Sequence, residues 1–483
     1  MSTFLPIHGR RLAAAAAVAC WAASVCPFRQ EARAAEPKRA TRPNFVFILV
    51  DDLGWADVGC FGSDFYETPN VDRLAARGMK FTDGYAACPV CSPTRASILS
   101  GKYPARLKLT NFIAGRRQLD GARVLPADFK LQLDLEEVTL AEALKPAGYT
   151  SGHVGKWHLG GKPYWPEQQG FDLNVGGCGA GMPRSFFYPA WTANVPIAEG
   201  TAGEYLTDRE AAEAVKFIEQ NRDRPFFLYL AHYAVHIPLE AKQPMIEKYR
   251  AKAERNPGAK QHNPIYAAMV ESVDQSVGRV IDALGRLGIA QRTVVFFFSD
   301  NGGLATPEGP HTPATTNAPL RAGKGYLYEG GIREPLIVCW PGVTKPGSTC
   351  QVPVSSVDFY PTILEMAGVT GEPGQVPDGE SLVPLLRQTG GLKRKAIYWH
   401  YPHFSNQGGM PGGAVRQGDY KLIHFYDDDR IELYNVREDI GEKNDLAAEI
   451  PDKAAELRKL LDDWLRQVDA TMCPPNPRWQ SKQ

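Results

Sequence analysis

Four short, unbroken apolar runs constrain this chain more than any other feature: residues 45–50 (FVFILV), 226–230 (FFLYL), 293–298 (TVVFFF) and 336–340 (LIVCW). A strand with one wet face alternates apolar and polar side chains, so a run without alternation is buried on both faces. Helix signals stand between the runs. Thr68-Pro69 opens one segment and Gly78 closes it, while Thr139 and Glu142 form a capping box ahead of Gly148. Thr207 and Glu210 suggest a second capping box before an amphipathic run to Gln220, and Asn263-Pro264 opens a long helix reaching about Leu287. Buried strands alternating with helices predict an α/β fold: a large mixed, mostly parallel sheet with helices on both faces.

The pattern changes after about Gly374. Residues 396–399, 419–423 and 431–434 look like short strands joined by glycine-rich loops, and an amphipathic helix follows from about Pro451 to Val468. This predicts a small C-terminal antiparallel sheet subdomain with one helix. The other end reads as a targeting segment: Arg10 and Arg11, an alanine-rich apolar run over 12–25, and small residues at Ala32-Arg33-Ala34. The run is shorter than the ~20 residues that span a bilayer, so an export signal is expected and a stable membrane anchor is not. The expected divisions are 1–34 signal peptide, 35–43 linker, 44–374 main α/β domain and 375–483 C-terminal subdomain, in a periplasmic or secreted protein.

Charge narrows the partners. Of 483 residues, 54 are Lys or Arg and 54 are Asp or Glu, so no net field favours nucleic acid or an anionic membrane. Anion binding must come from a local site. Seven cysteines follow the signal, an odd number that leaves at least one unpaired or chemically special, and nothing in their spacing points to a zinc knuckle.

Two buried runs end in polar clusters. Val50 is followed by Asp51 and Asp52, and Phe298 by Ser299, Asp300, Asn301 and Gly302. Ligands of open α/β sheets bind beyond the carboxyl ends of strands. One such cluster alone is ordinary turn chemistry. Two together suggest a hard divalent cation, because adjacent carboxylates repel and an oxygen-only donor set suits Ca²⁺ or Mg²⁺ better than zinc. The most informative stretch is Cys88-Pro89-Val90-Cys91-Ser92-Pro93-Thr94-Arg95. Pro93 can open a helix ending before Gly101, which places Cys91 at a helix N-terminus that favours anions and Arg95 one turn along. A plain capped helix with a disulfide-bonding cysteine, or a thiolate nucleophile, is the alternative.

Cys91-x-Pro93-x-Arg95, continued by ASILSGKY over 96–103, resembles the signature of the sulfatase family. The resemblance spans nearly the whole mature chain, through residues 43–54, 68–78, 152–160, 299–303 and 323–335 in order, with 416–422 and 432–446 similar to the family's C-terminal subdomain. It implies that a maturation enzyme converts Cys91 to formylglycine. It implies a calcium ion on Asp51, Asp52, Asp300 and Asn301, faced by converted Cys91, with Mg²⁺ the lesser candidate. Arg95 would hold the formylglycine hydrate. Lys156 and Lys324 would bind sulfate, and His158 and His236 would move protons. His232 lies close by, but the Ile237-Pro238 that follows favours His236.

The activity so implied is hydrolysis of a sulfate ester, carbohydrate foremost. One hydroxyl of the hydrate attacks sulfur, and the second allows sulfate to be expelled. Two alternatives stay open: a phosphodiesterase or phosphonate monoester hydrolase built on the same constellation, or a silent sulfated-glycan-binding protein if Cys91 is never converted. For substrate contacts, Trp399-His400-Tyr401-Pro402-His403-Phe404 and the glycine-rich run behind it suggest a sugar subsite using His400 and His403.

Overall fold

The computed structural model describes residues 42–115, 119–371 and 375–479. The expected signal peptide and nearly all of the linker lie outside the described residues. Among those described, nine strands form one sheet: β1 (Asn44–Val50), β2 (Met79–Tyr85), β3 (Thr150–Gly155), β4 (Leu173–Val175), β5 (Phe226–Ala231), β6 (Thr293–Ser299), β7 (Arg333–Cys339), β8 (Ser348–Cys350) and β9 (Val354–Ser355). Their spatial order is β4-β3-β5-β1-β6-β7-β2-β8, with β9 also on β2. The run from β4 to β6 is parallel throughout, and β7 is antiparallel to both β6 and β2.

The four apolar runs are β5, β1, β6 and β7, adjacent at the centre of this sheet. In β1, Val46, Ile48 and Val50 enter one core while Phe45, Phe47 and Leu49 enter the other. Each such side chain contributes roughly 1.5–3 kcal/mol when fully buried, so the missing polar positions are the direct cause of the central placement. Helices Pro69–Arg77, Leu206–Gln220, Gln243–Arg255 and Pro264–Arg286 cover one face, and Cys91–Ser100, Leu140–Leu144 and Phe359–Ala367 cover the other.

β3 carried no apolar run to announce it. Val154 is its one aliphatic residue, and Gly152 lies so close to the Phe217 ring that a Cβ would stand 2.7 Å from it. The Thr139–Glu142 capping box is present, but the one expected at Thr207 is not. The helix begins at Leu206 without a side-chain cap, and Glu210 turns inward to accept a hydrogen bond from Nδ1 of His232.

The second sheet is antiparallel, in the order β10 (Ala396–Tyr401), β11 (Gly412–Gln417), β12 (Tyr420–Phe425) and β13 (Ile431–Asn435). β11 lies partly where a loose glycine-rich loop was expected. Its glycines are a packing requirement, since a Cβ on Gly413 would collide with the Tyr426 hydroxyl. One face of this sheet packs on helix Pro451–Gln467 through Leu457, Leu461 and Trp464. The other packs Trp399, Tyr401 and Ile423 against Tyr85, Cys88 and Val90. Buried charge crosses the same junction: Lys421 Nζ lies 3.0 Å from Glu329 and 2.9 Å from Glu442, and Arg416 lies 2.8 Å from Asp83.

Candidate active site

Four parallel neighbours, β3, β5, β1 and β6, bring their carboxyl ends to one rim. Lys156 follows β3, His236 follows β5, Asp51 and Asp52 follow β1, and Asp300 and Asn301 follow β6. Consecutive residues of a strand point to opposite faces, so two adjacent carboxylates would normally diverge. Asp52 takes φ of 61°, a left-handed conformation that Asp tolerates. Oxygens of Asp51 and Asp52 and a ring nitrogen of His236 then lie within 4.8 Å of one another.

The cluster is tied by charge. Lys156 Nζ donates to Asp51 Oδ2 at 2.6 Å, Lys324 Nζ to Asp52 Oδ2 at 2.7 Å, and Asn301 Nδ2 to Asp52 Oδ1 at 2.8 Å. Arg95 donates through Nε to Asp300 at 2.8 Å and through Nη1 to the carbonyl of Lys156 at 2.7 Å. Two buried oxygens, Asp51 Oδ1 and Asn301 Oδ1, have no hydrogen-bond partner among the described residues. Burial, then the charge of Asp300, pushes the Asp51 carboxyl well above its usual range. Burial acts the same way on Asp52, but Lys324, then His236 and Lys156, hold it below. Convergent carboxylates with an orphaned carboxylate oxygen and an orphaned amide oxygen beside them fit a hard divalent cation.

Cys91 is the first residue of helix Cys91–Ser100, as expected, with Arg95 one turn behind it. Burial pushes its thiol up, against the opposing pull of Lys156 and Lys324. A resting thiolate nucleophile is therefore disfavoured. Cys88 and Cys91 stand in a Cys-x-x-Cys spacing, but the Cys88 Sγ faces the carbonyl of Thr110 at 3.8 Å.

The histidines are oriented by backbone carbonyls. His158 Nε2 lies 3.3 Å from the Ile113 oxygen, which must accept, so Nδ1 is left as an acceptor 3.3 Å from Cys91 Sγ. His236 Nδ1 donates to the Ile237 oxygen at 2.8 Å, leaving Nε2 as an acceptor 3.6 Å from Asp52 Oδ2. Burial, then Lys156 and Arg95, hold His158 well below the usual imidazole range; burial, then Lys324, brings His236 down to about 3. Both rings rest neutral.

A cavity of about 290 Å³ opens over this cluster, lined by Cys91, His158, His236 and Lys324 and closed by Phe112, Met182, Glu308, Asn406 and Gln407, among others. A larger cavity of about 740 Å³ lies elsewhere, around Thr293 and Val295 at the amino end of β6. The structure does not bring His400 and His403 to the site cavity. His400 is buried between the Tyr426 hydroxyl at 2.8 Å and the Thr471 carbonyl at 3.0 Å, and His403 is buried against Thr110 Oγ1 at 2.8 Å. The loop behind them does reach it, through Asn406 and Gln407, and neither these nor Glu308 carries a motif that marks it in the sequence.

A family model described as Sulfatase matches residues 43–369, and another described as N-sulphoglucosamine sulphohydrolase, C-terminal, matches residues 322–471. The chain belongs to the sulfatase family. It is a sulfuric ester hydrolase. A sulfatase of Formosa agariphila is 34% identical, the match covering 89% of this chain and 90% of that one. Human N-acetylgalactosamine-6-sulfatase is 36% identical, over 74% of this sulfatase and 68% of its own length. The crystal structure of Ps i-CgsB in complex with k-i-k-neocarrahexaose superposes with a TM-score of 0.74 at 29% identity, covering 88% of this chain and 93% of that one. Among the described residues no helix is long and apolar enough to cross a membrane.

Proposed function

We propose that this sulfatase is exported and releases inorganic sulfate from a sulfated carbohydrate, using formylglycine made from Cys91 by a maturation enzyme and one divalent cation, calcium. The observation that carries the reading is the meeting of Cys91, His158, His236 and Lys324 in one cavity, beside an acidic cluster in which buried Asp51 Oδ1 and Asn301 Oδ1 lack hydrogen-bond partners. The activity for which N-acetylgalactosamine-6-sulfatase is named and the saccharide bound to Ps i-CgsB support carbohydrate as the substrate class. The N-terminal pattern supports export, and the division near residue 374 stands as a proposed boundary between catalytic domain and small sheet.

Asp51, Asp52, Asp300 and Asn301 would hold the cation, which when bound supplies Lewis-acid stabilisation of sulfate charge. Formylglycine at position 91 would supply a hydrated aldehyde, with one hydroxyl to attack sulfur and a second to expel sulfate. Lys156 and Lys324 neutralise the anionic ester, which otherwise repels any nucleophile. Arg95, fixed by Asp300 and the Lys156 carbonyl, holds the residue-91 hydroxyls. His158 Nδ1, an acceptor facing Cys91 Sγ, is placed to take a proton from a hydroxyl on residue 91. Lys324 carries a proton at rest and is the ready donor to the departing oxygen. His236 joins it after taking up a proton at Nε2, which an arriving anion favours.

The test is expression with a formylglycine-generating enzyme, mass analysis of the tryptic peptide containing residue 91, and sulfate release from defined sulfated saccharides. Aldehyde at position 91, with sulfate esters hydrolysed far better than matching phosphate esters, is expected. Full turnover by Cys91→Ala, or a preference for phosphate or phosphonate esters, would overturn the reading.

A further inference from the structure

Part of the cavity wall is built from two different parts of the chain. Glu308 comes from the loop after β6, and Gln407 from the loop between β10 and β11. They are hydrogen-bonded to each other, Gln407 Nε2 donating to Glu308 Oε2. Gln407 is not free to turn away. Its Oε1 accepts from Ser405 Oγ at 2.6 Å, its backbone N–H donates to the same hydroxyl at 3.0 Å, and its carbonyl accepts from the Tyr326 hydroxyl at 2.8 Å. Glu308 is anchored through its backbone N–H, which donates to Thr312 Oγ1 at 2.7 Å. Among the described residues no hydrogen bond takes the second Glu308 oxygen.

We infer that Glu308, held by Gln407, is the specificity-determining group of this sulfatase: it accepts hydroxyl hydrogen bonds from a neutral sugar ring beside the reacting sulfate and repels a second anion there. This rests on reading the cavity as the sulfate-ester site. A carboxylate can only accept, and sugar hydroxyls are donors it can satisfy; the carboxylate group of a uronate or a neighbouring sulfate group offers only acceptors and like charge. Phe112 and Met182 line the same cavity and suit the apolar C–H face of a pyranose. The small volume, about 290 Å³, suits one ring with its sulfate. The preferred substrate is therefore a monosulfated neutral saccharide, with no second sulfate or carboxylate on the reacting ring.

The experiment compares kcat/KM for three probes on the mature enzyme: 4-nitrophenyl sulfate, galactose 6-sulfate or another monosulfated neutral sugar, and a disulfated or uronate-bearing saccharide with the same reacting position. Wild type should favour the neutral monosulfated sugar over the doubly anionic one by about tenfold or more. Glu308→Gln should shrink that ratio about tenfold and lower the sugar-to-aryl ratio, and Gln407→Met, which frees Glu308, should move both ratios the same way to a smaller extent. Wild type with no preference, or variants that leave both ratios unchanged, would overturn the inference while aryl sulfate hydrolysis continues. Absence of turnover on all three probes, with formylglycine verified at position 91, would instead remove the reading of the cavity, and the inference with it.

Discussion

Nδ1 of His232 donates to Oε2 of Glu210 at 2.6 Å, with both side chains fully buried, and Ser276 Oγ lies 3.0 Å from the other ring nitrogen. The chain thus closes a Ser–His–Glu series inside the core, and none of the three residues lines the site cavity or the larger one. Its consequence is structural. The pair ties helix Leu206–Gln220 to the end of β5, four residues before His236.

Removing Glu210 leaves the Nδ1–H of His232 buried without an acceptor, which costs about 1–3 kcal/mol. Glu210→Ala should therefore lower the urea midpoint by that equivalent, while the exposed Glu219→Ala should change it by less than about 0.5 kcal/mol. Equal midpoints for the two variants would show that the pair contributes nothing.

Calcium should stabilise chelator-treated protein. A ligand bound to the folded state alone contributes about 2.7 kcal/mol at a hundredfold excess over Kd. Asn301→Ala and Asp300→Ala should abolish the rise in Tm, because each removes a donor from the acidic rim. A rise produced by zinc and not by calcium would contradict the oxygen-only donor set.

The two histidines should fail differently. Loss of a positioned acid or base typically costs 10²–10⁴-fold. His236→Ala should be hurt most on phenyl sulfates with basic leaving groups, and His158→Ala should accumulate protein-bound sulfate in rapid-quench mass analysis. A common leaving-group dependence with no trapped sulfate would show the roles to be misassigned.

His400 predicts a loss of stability in acid. Burial holds its imidazole down to about 4, and the Tyr426 hydroxyl and Thr471 carbonyl suit the neutral ring. The unfolded chain takes up this proton near pH 6.5, so the unfolded state binds more protons between about pH 6.5 and 4. The stabilisation, on the order of 3 kcal/mol, is complete above the upper value and lost as pH falls towards the lower. Denaturant midpoints should fall less steeply over this window in His400→Gln than in wild type; parallel curves would remove His400 from the account.

The parts legible in the sequence were those where one physical demand acts locally. Residues 45–50 and 293–298 announced central strands because two-sided burial removes every polar position, and Pro264 announced its helix because proline is tolerated at a first turn. Cys91, Arg95 and the carboxylates were legible through motif and chemistry. The illegible parts depend on distant partners. Glu210 looks like a capping residue until His232 is brought beside it, β3 goes unannounced and β11 reads partly as a loop because their glycines answer to Phe217 and Tyr426, and Gln407 reaches the cavity while its more chemically suggestive neighbours His400 and His403 are consumed by the core.

The junction beneath the small sheet bears on how such an enzyme can be shortened. Trp399 Nε1 donates at 2.8 Å to the carbonyl of Ala86, and Cys88 and Val90, the residues leading into Cys91, rest on the same face. A fragment ending near residue 374 would strip that support from the reactive position and leave Glu329 and Asp83 without Lys421 and Arg416. The last hundred residues are thus no detachable appendix: a gene trimmed after the first sheet should yield an insoluble product.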